Sequence, residues 1–225
     1  MAEIRFVQNV DSAHPFAVVY KPQGLASAPL KKGDDCALTQ AAELCPQIKS
    51  VKGKKPVEYG LLHRIDTETS GLLLIACTQD FYDFMQKEQK EGRFIKHYRA
   101  TVEGNVSETS KNLAKKFTVT SRFRPFGPKG KLVKPVFEGC SAADRKKCGE
   151  KVYSTKVILA GNTAECSITE GYRHQVRAHL ASAGFPIKGD ALYNPDFKEG
   201  EKLEFEAFKI EFMNPATEKH EIYEV

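Results

Sequence analysis

Three segments set ionisable side chains into apolar sequence: HRIDTETSG at 63–71, KHYRA at 96–100 and EGYRHQVRAHLASAGFPIKGDALY at 170–193. Asp66 lies between the apolar ends of LLHRIDTETSGLLLIA, where the surroundings read as core. A buried carboxylate stays ionised only with a counter-charge or several donors. The cations on offer are Arg64 nearby and Arg173 or Arg177 later in the chain. An ionised, well-aimed carboxylate can serve as nucleophile or base, but an isolated Arg–Asp pair can equally do no more than fasten two elements together. Read as one helix, RHQVRAHLASAG puts Arg173 and Arg177 on a shared face with Leu180 and Gly184, and His174 about a hundred degrees round.

Other chemistries find less support. His174 and His179 are five apart rather than the i, i+4 pair of HExxH, and His63 and His97 have no partner at ligand spacing, so no metal site is expected. The glycines make neither GxGxxG nor GxxxxGK[ST], and the serines make no GxSxG elbow, which argues against a nucleotide cofactor and against acyl transfer. A two-carboxylate hydrolase, with Asp66 beside Glu68 or Asp190, has nothing in the sequence to tether Asp190 to the others.

The elements that must position these groups are legible in outline. FAVVY, 16–20, predicts a strand that stops at Lys21-Pro22 and feeds the loop KPQGLASAP. Residues 38–44 predict a helix with Thr39 as N-cap, followed by Pro46 and a lysine-rich loop. A strand is expected over 71–78. Asp80 can then cap a helix with Phe81, Phe84, Met85 and Glu88 on one face and Gly92 at its end. Residues 96–104 alternate as a strand with Tyr98, Ala100 and Val102 together. Residues 105–150 read as an elaborated loop or hairpin, with weak strand signals at 117–120 and 132–137. A hairpin around Gly161-Asn162 joins 153–159 to 164–169, the helix RHQVRAHLASAG follows, and two C-terminal strands flank a Pro-containing turn. Many strands, few helices and no βαβ alternation predict an α+β fold: a mixed, largely antiparallel sheet with flanking helices and loops.

The bulk numbers agree with a folded chain. Its 225 residues fit one domain, and 41% hydrophobic against 28% charged residues is a globular balance. A net charge of +5 permits a polyanion partner, and clustering says more than the total. Lys49, Lys52, Lys54 and Lys55 crowd IKSVKGKK, while Arg122, Arg124, Lys129, Lys131 and Lys134 interleave with Phe123 and Phe126 in SRFRPFGPKGKLVK. That mixture suits RNA, with cations for phosphates and flat groups for unstacked bases. Six cysteines without a CxxC pair, no apolar leader and no apolar run near the roughly 18 residues of a membrane span predict a reduced, cytoplasmic protein.

Taken together, the segments resemble the RsuA/RluA superfamily of RNA pseudouridine synthases. HRIDTETSGLLLIA is similar to the family's HRLDxxTSGLLLxA motif, with Ile65 for the usual Leu. KHYRATVEG resembles its KxYxAxVxG strand, VVYKPQGLASAP its KPxGL segment, and EGYRHQVRAHLASAGFPIKGDALY its last motif. TEGYRHQVR is closer to RsuA-type members and AHLASAGFPIKGDALY to the RluA pattern, so the chain reads as RluA-like. The resemblance covers 16–193. About fifteen residues precede it, so a separate N-terminal RNA-binding domain, present in many members, is not expected, and RNA binding would rest on one catalytic domain spanning 1–225.

The resemblance implies that the chain converts uridine in transfer or ribosomal RNA to pseudouridine. The glycosidic bond to N1 breaks, the uracil turns and rejoins through C5, and no atoms are gained or lost, so no metal or cofactor is called for. It makes Asp66 the catalytic carboxylate, as nucleophile or as the base that takes a sugar proton, Arg177 its partner, and Tyr98 the ring against the target base. Arg64 would fill the space left by the extruded nucleotide, with Ile65 and Leu72 supporting the pocket. Arg173, Arg122, Arg124, Lys129 and Lys131 are candidate RNA contacts. A monomer working on RNA, with no membrane and no nucleotide cofactor, is the expected state. The rival reading is a non-catalytic RNA-binding protein or RNA chaperone on the same scaffold.

Overall fold

The computed structural model describes residues 2–31, 33–104 and 114–225, which fall into two compact units, one running to Lys96 and taking in Glu206–Val225, the other His97–Phe205.

In the first unit β1 (Arg5–Gln8) pairs antiparallel with β2 (Phe16–Lys21), and β2 with β3 (Ser70–Ala76). β3 runs parallel to β9 (Phe205–Asn214), which β10 (Lys219–Glu224) borders antiparallel. β2 and β3 are buried almost end to end because both faces are covered. Leu72, Leu74 and Ala76 share a core with Phe16, Val18, Ile210 and Phe212. Phe81 and Met85 of α2 (Gln79–Lys90) close that core, with Phe16 and Phe81 stacked at 4.8 Å between ring centres. Leu73 and Ile75, on the opposite face, are fully buried, as are Leu38 and Ala41 of α1 (Ala37–Leu44). Gly71 has φ 129°, and a Cβ there would lie 2.3 Å from the Ala207 carbonyl oxygen, so the β3–β9 approach needs glycine at this point.

In the second unit the strand order is β4 (Ile95–Thr101), β8 (Thr163–Ile168), β7 (Tyr153–Ala160), β5 (Lys115–Phe126) and β6 (Leu132–Val136). β7 and β8 meet through the two-residue turn Gly161-Asn162, with Ala160 opposite Thr163 and Gly161 at φ 59°. β4 alternates as expected, burying Lys96, Tyr98 and Ala100. α3 (Ala142–Lys147) and α4 (Gln175–Ser182) complete the unit. The observed arrangement is the α+β, mixed and largely antiparallel fold that the pattern of elements predicts.

Several boundaries differ. Thr39 is not the cap of α1: Cys36 is, and Thr39 returns the bond from the third helical position. Thr78, not Asp80, caps α2, leaving Asp80 in the first turn where its charge suits the helix dipole. α4 starts two residues after Arg173, because His174 takes a left-handed backbone at φ 53°. The weak signal at 117–120 falls in the first half of a twelve-residue strand. Of the expected 105–150 loop, 105–113 lies outside the described residues, and the rest is the β5–β6 hairpin followed by α3.

Candidate active site

Asp66 sits in the stretch that leads from Leu61 into β3. The Leu62 amide donates to the Leu74 carbonyl (3.1 Å), and His63 Nε2 accepts from the Leu74 amide (3.1 Å), so the segment runs alongside the strand. Because Nε2 accepts, the ring proton is on Nδ1. Burial, then the Lys96 charge, pushes the imidazole down to about 3, so His63 is a neutral strut.

The residues on either side of Asp66 are held by the loop that follows β2. Ser27 Oγ donates to the Ile65 carbonyl (2.7 Å) and accepts from the Ile65 amide (3.1 Å). The Thr67 carbonyl accepts from the Gly24 amide (2.8 Å) and from Lys21 Nζ (3.2 Å). Lys21 Nζ also donates to the carbonyls of Leu25 (2.7 Å) and Pro22 (3.0 Å). The Asp66 carbonyl accepts from the Thr69 amide (3.0 Å), closing a turn with Thr67 and Glu68 at its corners. Lys21 is wholly enclosed. Burial pushes its ammonium down to about 8, against the opposing pull of the Glu68 and Asp66 carboxylates. Ile65 and Leu72 are buried on either side of this turn in the chain. Arg64 projects outward, 61% exposed, 3.4 Å from Glu58, whose carboxylate also pairs with Lys55.

In the second unit Tyr98 is buried and stacks on Phe205 at 5.2 Å with the rings 15° apart. Arg177, on the first turn of α4, makes a two-point pair with Asp190: Nε to Oδ2 at 2.8 Å and Nη2 to Oδ1 at 2.7 Å. Both residues are buried. Asp190 Oδ1 also accepts from the amides of Leu192 (2.9 Å) and Tyr193 (3.2 Å), and the Arg177 guanidinium lies 5.4 Å from the Tyr193 ring centre. The guanidinium is thus held at one edge by a carboxylate and on one face by a ring. Gly189, at φ 73°, permits this: a Cβ there would meet the Lys202 carbonyl oxygen at 2.0 Å. Tyr193 also accepts from the Val133 amide (2.9 Å) and meets His174 Nδ1 at 3.0 Å.

α4 is fastened from behind by His179, whose ring nitrogens meet Ser121 Oγ and Thr155 Oγ1, each at 2.8 Å. Burial pushes this imidazole down to about 4.

The expected shared face of Arg173 and Arg177 does not form. The helix begins after His174, and Arg173 instead donates to the carbonyls of Gly130 and Leu132 (the latter at 3.0 Å), tying down the β5–β6 turn. Lys129 and Lys131 are exposed in that turn. Arg122 Nε donates to the Glu150 carbonyl (3.1 Å), and Arg124 Nε lies 2.6 Å from Asp144 Oδ1. Asp190, a possible second carboxylate of a hydrolase, is committed to Arg177.

The model of the family described as RNA pseudouridylate synthase matches residues 15–182, well over half of the chain. The chain belongs to this family. It is 27% identical over 213 residues to the ribosomal large subunit pseudouridine synthase D of Neisseria meningitidis, covering 89% of this chain and 52% of that protein. It is 27% identical to the dual-specificity RNA pseudouridine synthase RluA of Pasteurella multocida (91% and 85% covered), and 30% identical over 158 residues to an uncharacterised RNA pseudouridine synthase of Helicobacter pylori (69% and 59%). The chain therefore spans little more than half the length of two of these relatives. Among solved structures, human RNA pseudouridylate synthase domain containing 1 aligns with a TM-score of 0.69 at 20% identity over 100% of this chain and 82% of that one. Human RNA pseudouridylate synthase domain containing 4 aligns at 0.65 and 19% (96% and 86%). At that identity the two structures speak to the fold, and they agree with it. No helix of the described residues is long and apolar enough to cross a membrane.

Two of the segments that carry the family resemblance, KPQGLAS and HRIDT, are thus bonded to one another, and the last motif supplies both Arg177 and its brace. Lys21, Ser27 and Tyr193 stand in the family segments, but the sequence assigns them no role. The available signal was a lysine directly before proline at the end of an apolar strand, where a cation is hard to solvate.

Proposed function

We propose that this chain isomerises uridine in RNA to pseudouridine, with Asp66 as the reacting carboxylate, Arg177 as its counter-charge and Tyr98 as the ring that receives the extruded uracil. The observation that carries the proposal is the bracing of the Asp66 turn from both sides by Ser27, Gly24 and Lys21, in a chain of the RNA pseudouridylate synthase family. A reacting group must be held close to its productive geometry, and a plain structural ion pair has no need of such a mount. Asp66 attacks the nucleotide or takes a sugar proton; the N1 bond breaks, the base turns and C5 rejoins the ribose, and the C5 proton is then removed, with the Tyr98 hydroxyl as the group that can help take it. The target uridine is flipped from its stack, and Arg64, which projects outward, takes the vacated place. Chemistry of this kind calls for no metal or nucleotide cofactor. The expected setting is a monomer in the cytoplasm acting on ribosomal or transfer RNA. Ribosomal RNA is the first to examine, because the similar Neisseria protein is named for the large subunit.

Pseudouridines are mapped in total RNA from cells with and without the gene, by a reaction that marks only the isomerised base. Loss of one or a few sites, restored by the wild-type chain and not by Asp66→Ala or Asp66→Asn, is the expected result. If no uridine changes, or if Asp66→Asn restores the sites, the synthase reading fails and RNA binding alone remains.

A further inference from the structure

The hairpin β5–β6 and the segment Ser141–Glu150 make one basic arm of the second unit. Along β5, Val119, Ser121 and Phe123 are buried, while Thr118, Thr120 and Arg122 face out. The segment Ser141–Glu150 lies along the hairpin. The Gly149 amide donates to the Phe123 carbonyl (3.2 Å), Arg122 Nε to the Glu150 carbonyl (3.1 Å), and Lys134 Nζ to Asp144 Oδ2 (3.1 Å), while Arg124 Nε sits 2.6 Å from Asp144 Oδ1. Arg122, Arg124 and Lys134 are therefore braces that hold α3 in place. Asp144, the one acidic residue of α3, is turned toward the hairpin and neutralised there, with Lys134 first and Arg124 second holding its carboxyl below the usual range.

What α3 presents outward is Arg145, Lys146 and Lys147, all exposed and without an acidic partner among the described residues. Arg124, paired with Asp144 of α3, also lies 5.2 Å from the ring centre of Phe126, which is 47% exposed. Cations beside an open ring are what a single strand of nucleic acid requires, the charges for its phosphates and the ring for a stacked base.

We propose that this arm is the docking surface for an unpaired stretch of the RNA: Arg145, Lys146 and Lys147 on phosphates and Phe126 under a base. The choice of RNA over another polyanion rests on the proposed activity. Each neutralised phosphate releases counterions, and for a single strand each contributes about 0.7 to the log–log salt dependence of binding.

Binding of a labelled single-stranded RNA of about 20 nucleotides is followed by fluorescence anisotropy over a salt series, with the full chain. The triple substitution Arg145→Gln, Lys146→Gln, Lys147→Gln is expected to lower the salt slope by about two. Phe126→Ala is expected to weaken binding roughly tenfold and leave the slope unchanged. An unchanged slope in the triple variant overturns the proposal, and so does tighter binding to polyglutamate than to the RNA, which would point to an acidic protein instead. Pseudouridine formation is scored separately on wild type: sites made but slope unchanged removes the arm alone, and slope lowered but no sites made removes the synthase reading alone.

Discussion

Asp66 and Arg177 are mounted by opposite means. The turn that carries Asp66 is held through the main chain, by bonds to the peptide groups of Ile65 and Thr67 from Ser27, Gly24 and Lys21. The guanidinium's position is imposed on the side chain itself, by the Asp190 carboxylate at its edge and the Tyr193 ring on its face. The difference follows from reach. An aspartate has only two side-chain torsions, so fixing its backbone narrows the carboxylate to a few positions, whereas an arginine on a rigid helix has four torsions to settle and is gripped at its far end. The mounts should therefore fail differently.

The largest expected effect is on the side-chain mount. Asp190→Ala takes the two-point carboxylate away from the buried Arg177 guanidinium and removes the acceptor for two amides, which should destabilise the chain by about 3–5 kcal/mol in urea unfolding. Adding Arg177→Met in the same chain should recover part of that loss, since the buried guanidinium no longer lacks the carboxylate at its edge. Isomerisation would still be lost in the double variant. If Asp190→Ala unfolds within about 1 kcal/mol of wild type, the pair is not a mount, and the contrast between the two regions collapses.

The two regions also differed in how readily the sequence disclosed them. Asp66 stood out because a charge between LLH and GLLLIA has no cheap explanation, and Tyr98 because KHYRATVEG alternates cleanly. Lys21 did not, because its partners are the carbonyls of Pro22, Leu25 and Thr67, and a bond to the main chain carries no side-chain signature. Asp190 was visible only as a spare carboxylate, since nothing in the sequence says that KGDALY folds back on α4. Arg173 was misplaced for a related reason: His174 adopts a left-handed backbone to which its residue type gives no lead, and this moved the helix start. β1 has four residues, and α3 buries none of its own, so neither has the apolar period on which recognition depends. The sheet was legible because burial of alternate residues writes itself into the sequence, while the braces of the site arise from contacts between distant segments.

The main-chain mount should give a smaller effect with a pH signature. Lys21→Met leaves the Pro22 and Leu25 carbonyls without their buried donor, at a cost of about 1–3 kcal/mol, while the Thr67 carbonyl keeps the Gly24 amide. In the folded chain Lys21 is pushed down to about 8, below the ordinary lysine value of 10.5. Between those values the unfolded chain binds the extra proton, so this group makes unfolding less favourable as pH rises through the window. The stability difference between wild type and Lys21→Met should accordingly widen in favour of wild type from pH 8 to 10.5. A difference that stays flat with pH would mean that the ammonium is not buried as described.

The smallest effect separates aim from stability. Ser27→Ala removes one hydroxyl that serves both the amide and the carbonyl of Ile65, a loss of about 1–2 kcal/mol, and it leaves the charge pattern untouched. Lys21 and Gly24 still hold Thr67, so Asp66 would be fixed on one side only. That predicts a lower kcat with KM almost unchanged, since RNA contacts elsewhere are intact and only the carboxylate's aim is loosened. Ser27→Thr keeps the hydroxyl and should restore most of the rate, provided the added methyl fits. The opposite pattern, a raised KM at constant kcat, would assign Ser27 to RNA contact and show that the turn needs only one of its two anchors.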